Sequence, residues 1–187
     1  MSYENYLEIL RPRMGERRLR HSVAVCKEAV RLAEKYGANP EKAEVAGILH
    51  DICKETPDAE QLRILSDFGI MLTSVEKKEP KLHHAMSGSV YIRQQLAVSD
   101  PDIVNAVRYH TTARAGMSLL EKVIYLADFT SADRDYPGVQ KMRELVEAGI
   151  PPAMEFALRF TVSDLCERGC CIHPDTISAY NEVMLQK

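Results

Sequence analysis

Apolar side chains recur along most of the chain at steps of three and four residues, the spacing that places them on one face of an α-helix. The pattern is clearest over residues 17–36, where it ends at Gly37, a residue that commonly terminates helices. Nearly every other segment also has this spacing, rather than the alternation of apolar and polar residues that predicts strands. We therefore predict an all-α fold.

Helix starts are marked by a capping residue followed by proline in the first turn, or by paired prolines. The helix that starts at Asn39-Pro40 is predicted to run to about Cys53, and Ser118 with Glu121 forms a capping box that predicts a helix to about Ser131. The chain should contain about eight to ten helices. The other starts of this kind are Thr56-Pro57, Asp100-Pro101, Pro151-Pro152 and His173-Pro174.

Length and composition indicate one domain. The 187 residues contain no Gly/Ser/Pro-rich linker, and 45% of them are apolar. The formal charge of −3 offers no basic excess for nucleic-acid binding, so an anionic ligand must be held by local charges. The charged N-terminus has no apolar signal-peptide core, and no stretch approaches the length of a membrane span. We expect a cytoplasmic protein with neither nucleic-acid nor membrane partners.

The five cysteines are odd in number and show no framework spacing, which argues against a set of disulfides. The stretch "CERGCC", residues 166–171, could in principle bind a metal through thiolates, but no second Cys/His cluster completes a zinc site. Reduced structural or surface thiols are the preferred interpretation.

Four titratable residues on separate helices continue apolar rows and are predicted to face the interior. His21 lies one turn before Val25, and Asp128 lies one turn after Ile124. Each inward histidine, taken alone, is more often a hydrogen-bonded core residue than a ligand. The four residues are His21, His50, His110 and Asp128.

Taken together, these residues predict a metal site. An ionised aspartate facing a core costs several kcal/mol unless it is paired or coordinates a cation, and neutral imidazoles can accept the same cation. Nitrogen and oxygen donors without thiolates suit iron, manganese or zinc. Asp51 follows His50 at a predicted helix end, where the relaxed last turn allows both side chains to reach one ion.

The pattern of an isolated His21, the doublet His50-Asp51 and a distant Asp128 resembles the HD-domain phosphohydrolase superfamily. The longer stretches "RLRHSVAV", "AGILHDICKE", "RYHTTARAGMSLLEKVIYLADF", "RDYPGV" and "IHPDTI" resemble the YqeK family within it. The resemblance covers about residues 15–182 and implies a single HD-domain helical bundle over residues 1–187.

This resemblance implies a symmetrical bis(5'-nucleosyl)-tetraphosphatase, which hydrolyses diadenosine tetraphosphate to two ADP molecules with iron or a similar divalent metal. It places catalytic roles on Asp51, His84 and His110 and suggests a dinuclear site bridged by Asp51. His83 precedes His84 directly, and periodicity does not separate the two. The implied metal ligands are His21, His50, Asp51, His84, His110 and Asp128.

A polyphosphate substrate also needs cationic and hydroxyl contacts. The stretch "YHTTARAG" offers Thr111, Thr112 and Arg114, although the threonines could simply end a helix and the arginine could be solvated. Arg134 also matches the family, but "TSADRD" replaces its usual Glu-Pro-containing stretch, so Asp133 carries less weight. The remaining phosphate candidates, which could equally be surface charges, are Arg18 and Lys54.

Three alternatives stay open at this point. The same ligand set would serve an HD-type phosphohydrolase acting on a deoxynucleotide, a cyclic nucleotide or a guanosine polyphosphate. A non-catalytic nucleotide-binding module and a helical scaffold with satisfied core histidines are the other two. Under the preferred hypothesis the partner is a small dinucleoside polyphosphate or another nucleotide. Manganese or cobalt could replace iron, and a homodimer is left open.

Overall fold

The computed structural model describes residues 1–186, and this part of the chain contains eleven α-helices, a short 3₁₀ turn at Pro80–Leu82 and no strand. The predicted all-α class is therefore confirmed. Lys187, the last residue of the predicted domain, lies outside the described residues. The helices are α1 Tyr3–Leu10, α2 Glu16–Tyr36, α3 Pro40–Leu49, α4 Asp58–Asp67, α5 Ser74–Lys78, α6 His83–Gln95, α7 Pro101–Tyr109, α8 Leu119–Thr130, α9 Val139–Ala148, α10 Ile150–Glu167 and α11 Pro174–Leu185.

Several helix starts follow the predicted caps, but α4 begins at Asp58, with Pro57 instead of the predicted Thr56 at the capping position. The Asn39 side chain accepts the backbone N–H of Lys42 at the start of α3, and Ser118 with Glu121 forms the predicted capping box of α8. Eleven helices within residues 1–186 exceed the predicted eight to ten. One of them, α5, has a capping box of its own that the prediction missed, formed by Thr73 and Glu76.

Helix α3 ends about four residues before the predicted end near Cys53, at the limit of what sequence patterns define. The helix ends at Leu49, and the chain then tightens into turns in which Ile52 N–H donates to the Leu49 carbonyl and Lys54 N–H to the Asp51 carbonyl. Such i to i−3 hydrogen bonds satisfy the carbonyl groups that a helix end leaves unpaired. His50 and Asp51 therefore lie on a turn rather than inside a helix.

The core brings together the helices that carry the candidate ligands. Helix α2 packs against α3 and α8, and α7 packs against α3, α6 and α8. At Gly47 the α2 backbone approaches closely, because a Cβ there would lie 2.8 Å from the Cα of Cys26. One cluster of buried apolar side chains extends from Tyr6 to Ala179.

Two further expectations concern the chain as a whole. Within residues 1–186, none of the helices combines the length and apolar character that crossing a lipid bilayer requires. All five cysteines are free thiols, with Cys26 and Cys53 buried. The thiols therefore match the interpretation from sequence.

Candidate metal centre

Four histidines and two aspartates from five helices converge on one point in the core. Five of the six side chains are buried, and Asp128 is partly exposed. His21 comes from α2, His84 from α6 and Asp128 from α8. His50 and Asp51 follow the end of α3, and His110 follows the end of α7, so three candidate ligands occupy relaxed helix ends. We call these six residues the His/Asp cluster.

Asp51 lies at the centre of the His/Asp cluster, with its two carboxylate oxygens turned to different histidines. Its Oδ2 lies 3.5 Å from Nε2 of His50 and 4.0 Å from Nε2 of His21. Its Oδ1 lies 3.2 Å from Nε2 of His84 and 3.5 Å from Nε2 of His110. The six residues therefore contain two groups able to hold a cation, His21–His50–Asp51 and Asp51–His84–His110, whose donor atoms lie within 4.8 Å of one another. Asp51 is common to both.

In each histidine of the cluster, Nε2 faces the other cluster residues, and a hydrogen bond at Nδ1 orients the ring. Nδ1 of His50 lies 2.8 Å from the Gly47 carbonyl, and Nδ1 of His110 lies 2.7 Å from the carbonyl three residues before it. Nδ1 of His84 makes the same contact within its own turn, at 2.7 Å. A carbonyl only accepts, so Nδ1 carries the hydrogen and the Nε2 lone pair points into the cluster. Metal-binding histidines are usually held in this way.

His21 is oriented differently, by a side chain. Its Nδ1 lies 2.8 Å from Oδ2 of Asp133, whose other oxygen accepts the Ser131 hydroxyl at 2.8 Å. Its Nε2 lies 3.0 Å from Oδ1 of Asp128. In the sequence, Asp133 was a weaker candidate because "TSADRD" departs from the family pattern. Helical periodicity could not identify it either, because Asp133 lies outside the helices.

The donor set fits a divalent metal ion. Nε2 of His50 and Oδ1 of Asp51 are buried without any hydrogen-bond partner among residues 1–186. Nε2 of His84 and Nε2 of His110 lie 3.1 Å apart, and with both hydrogens on Nδ1 the two lone pairs face each other. Buried acceptors left unpaired cost about 1–3 kcal/mol each, so a cation between them removes a large penalty.

For His84, His110 and the two aspartates, the electrostatics favour the protonation states that bind metals. His50 differs, because Asp51 outweighs the effect of burial and raises the pKa of its imidazole. Burial lowers the pKa of His84 to about 4 and also lowers the pKa of His110, which keeps both rings neutral near pH 7. Burial alone would raise the pKa of Asp51, but the neighbouring His50 and its other imidazole contacts outweigh it and hold that pKa well below its usual range. Burial alone would also raise the pKa of Asp128, but His21 and Arg134 outweigh it and lower that pKa.

Three of the four cationic residues predicted to contact phosphate border the cluster. Nη1 of Arg18 donates to Oδ2 of Asp51 at 2.8 Å, and the Arg134 guanidinium pairs with Oδ1 of Asp128. Nζ of Lys54 lies 3.0 Å from Nε2 of His84, and burial lowers the pKa of this lysine. Arg18 and Arg134 compensate the charges of the two carboxylates, and Lys54 lies beside the cluster at His84.

The stretch after His110 divides into residues that reach the cluster and residues that make other contacts. Oγ1 of Thr111 lies 3.1 Å from Nε2 of His110. The Thr112 hydroxyl instead donates to the Ala113 carbonyl at 2.9 Å. Arg114 forms a two-pronged ion pair with the buried Glu121, with both N···O distances at 2.7 Å. The structure therefore places Thr111, but not Thr112 or Arg114, against the cluster.

The adjacent histidines of α6, His83 and His84, contact different parts of the protein. His84 belongs to the cluster, whereas both ring nitrogens of His83 are engaged elsewhere: Nδ1 lies 2.6 Å from Oδ1 of Asp58 and Nε2 lies 2.8 Å from the Glu76 carbonyl. His173 caps the start of α11 by accepting the N–H of Asp175, as expected for a helix-entry residue.

A cleft with a volume of about 330 Å³ opens onto the cluster at His110 and Asp128. Lys54 and Thr111 lie on its wall beside the ligands, and Phe129 with Phe160 adds an apolar surface suited to a flat ring. The two aromatic residues come from different helices, α8 and α10, and the sequence held no signal that would have paired them.

The chain is also similar to known proteins. The HD domain family matches residues 18–133. Two curated proteins named as symmetrical bis(5'-nucleosyl)-tetraphosphatases are similar to the chain. The one from Bacillus subtilis is 37% identical, over 97% of each chain. The one from Halalkalibacterium halodurans is 35% identical, over 97% of this chain and 96% of its own.

A solved structure from Clostridium acetobutylicum, described as a predicted HD superfamily hydrolase involved in NAD metabolism, has a TM-score of 0.96. It is 33% identical to the chain, with 100% of this chain and 99% of that one covered.

Proposed function

The chain belongs to the HD domain family, and we propose that it is a metal-dependent hydrolase that cleaves diadenosine tetraphosphate symmetrically into two ADP molecules. The observation that carries the proposal is the position of Asp51, with one carboxylate oxygen facing each of two histidine pairs. The near full-length similarity to two curated proteins of that activity supports the substrate.

We propose a dinuclear centre. His21, His50, Asp51 and Asp128 would hold one divalent ion, and Asp51, His84 and His110 would hold the other. Iron is the proposed metal, and manganese or cobalt suits the same donors. When bound, two such ions lower the pKa of a water molecule and neutralise charge on the attacked phosphate. The assignment is supported by the two unpaired buried atoms, His50 Nε2 and Asp51 Oδ1.

The residues of the chain contribute orientation and charge. Hydrogen bonds at Nδ1 hold the four imidazoles in place before substrate arrives, so little reorganisation is needed during the reaction. Asp51, His84 and His110 form the part of the cluster nearest Lys54 and Thr111, and we assign the catalytic step to this part. Arg134 helps to keep Asp128 ionised, Arg18 forms an ion pair with Asp51, and both arginines lie at the edge of the site.

The substrate is bound through its phosphates. Lys54 and Thr111 are proposed to donate to the phosphoryl oxygens from the cleft, while Phe129 and Phe160 give the adenine an apolar surface. Water oxygen bonds to a phosphorus next to the central bridging oxygen, and the bond from that phosphorus to the bridge breaks. One ADP departs with the bridging oxygen and the other keeps the oxygen of water, so the two products are identical.

The experiment that tests the proposal is a product assay on purified, metal-loaded protein. Diadenosine tetraphosphate, ATP, dGTP and cyclic nucleotides are supplied separately, and products are resolved by chromatography. We expect ADP as the dominant product from the first substrate, and a different preferred substrate would support one of the other phosphohydrolase hypotheses. A protein that binds these nucleotides without turning any over would support a binding module instead.

A matched pair of variants tests the ligand assignment. His84→Gln should lose activity and metal together, whereas His83→Gln alters the neighbouring histidine, which contacts Asp58 and Glu76 instead of the cluster. Equal losses in both variants, with both folded by thermal unfolding, would contradict the assignment. A cytoplasmic location remains part of this proposal.

A further inference from the structure

A second cavity meets the His/Asp cluster at His21. It has a volume of about 520 Å³, and it shares no lining residue with the cleft that opens at His110. Four arginines and two aspartates line it, in contrast to the net charge of −3 for the whole chain. We call it the arginine cavity; its lining residues are Arg17, Arg18, Arg20, His21, Asp133, Arg134, Asp135 and Tyr136.

Two of the four arginines are already committed. Arg18 pairs with Asp51 and Arg134 with Asp128, so their charges compensate the ligand carboxylates. Among residues 1–186, Arg20 forms an ion pair only with Glu16, at 3.1 Å, and both side chains are largely exposed, so this ion pair is weak. Arg17 makes no ion pair with any of residues 1–186. Arg17 and Arg20 are therefore available to an anion that enters the cavity.

We propose that the arginine cavity binds the phosphates of the second nucleotide of a dinucleoside polyphosphate, with Arg17 and Arg20 as the contacts. This inference rests on the proposed function. A substrate with a nucleotide at each end would then extend from the cleft, across the cluster, into the arginine cavity. Its central phosphates would lie at the cluster, which explains why cleavage is symmetrical, whereas a mononucleotide could use only one of the two cavities.

The test compares Arg17→Ala, Arg20→Ala and the double variant with the parent. Arg63→Ala is the matched control, because Arg63 is an exposed arginine on α4 that does not line the arginine cavity or the cleft. Two quantities are measured on metal-loaded protein: kcat/KM for diadenosine tetraphosphate, and the affinity for an analogue in which a methylene group replaces the central bridging oxygen. Metal content and unfolding temperature are measured on the same samples.

We expect each single variant to lower kcat/KM and analogue affinity by about tenfold, as for loss of one charge-assisted hydrogen bond. The double variant should lose more and should show a weaker dependence on salt than the parent. Metal content should equal that of Arg63→Ala. Values for the double variant within twofold of this control would overturn the proposal for the cavity.

These measurements distinguish failure of the proposed function from failure of the proposal for the arginine cavity. If the parent releases no ADP, the proposed function fails, and the analogue-binding measurement alone decides whether the cavity binds phosphates. If the parent releases ADP while Arg17→Ala and Arg20→Ala behave as Arg63→Ala does, the inference on the cavity fails and the proposed function stands.

Discussion

Asp133 offers the sharpest prediction about how the cluster is held together. It is the acceptor for Nδ1 of His21, at 2.8 Å, and it is itself fixed by the Ser131 hydroxyl. Replacing an acceptor behind a metal-binding histidine typically costs about 10–100-fold in metal affinity or activity. The Asp133 side chain is 37% exposed, and water can partly replace it, so we expect the lower end, about tenfold, for Asp133→Ala.

The measurement is competition with a chelator, which gives the dissociation constant of each bound ion. Only the ion held by His21 should weaken in Asp133→Ala, and Asp133→Asn should recover part of the loss because an amide oxygen also accepts. Asp135→Ala, two residues further along the same loop, is the control. Unchanged metal affinity in Asp133→Ala, or an equal loss in Asp135→Ala, would refute the reasoning.

Further outcomes follow from the same structure. Asp51→Asn should release metal from both groups and lower kcat about a thousandfold, because it removes the shared ligand, and metal analysis with kinetics checks this. Gly47→Ala should lower the free energy of unfolding by about 1–3 kcal/mol, because the added methyl group would meet the backbone of α2, as denaturant titration can measure. The control Gly88→Ala, where the nearest atom is 3.5 Å away, should be neutral or slightly stabilising. Arg114→Ala should cost about 2 kcal/mol of stability by leaving the buried Glu121 charge unpaired, with KM unchanged; a raised KM at unchanged stability would support the original prediction that Arg114 binds phosphate.

The parts of the site that helical periodicity encodes were predictable. His21, His50, His110 and Asp128 continue apolar rows, and the structure brings all four together in the core. His84 could not be separated from His83 in this way, because the choice depends on how α6 lies against α7. Adjacent residues on a helix point about 100 degrees apart, so only one of them can face the cluster.

Contacts between side chains from separate segments could not be predicted. Glu121 was visible as part of a capping box, but its ion pair with Arg114 depends on how the loop before α8 folds back. The same holds for Asp133 behind His21 and for the exposed Arg17, whose place in a cavity requires the loop over residues 131–138.

Helix starts were predictable from the sequence where a capping residue determines them. Caps at Asn39, Asp100 and Ser118 start helices as predicted. The end of α3 was less predictable, because the apolar pattern continues through Ile52 and Cys53 while the backbone has already turned. Both residues are buried by tertiary packing, which periodicity alone cannot distinguish from a continuing helix.

The central claim is that the cluster around Asp51 holds the metal that cleaves a dinucleoside tetraphosphate at its centre. The most direct test is product analysis from diadenosine tetraphosphate, with metal content determined on the same sample and the reaction repeated after chelation. We predict two ADP molecules per substrate, two metal ions per chain and loss of turnover when the metal is removed. Release of ATP with AMP, or full activity in metal-free protein, would contradict the account.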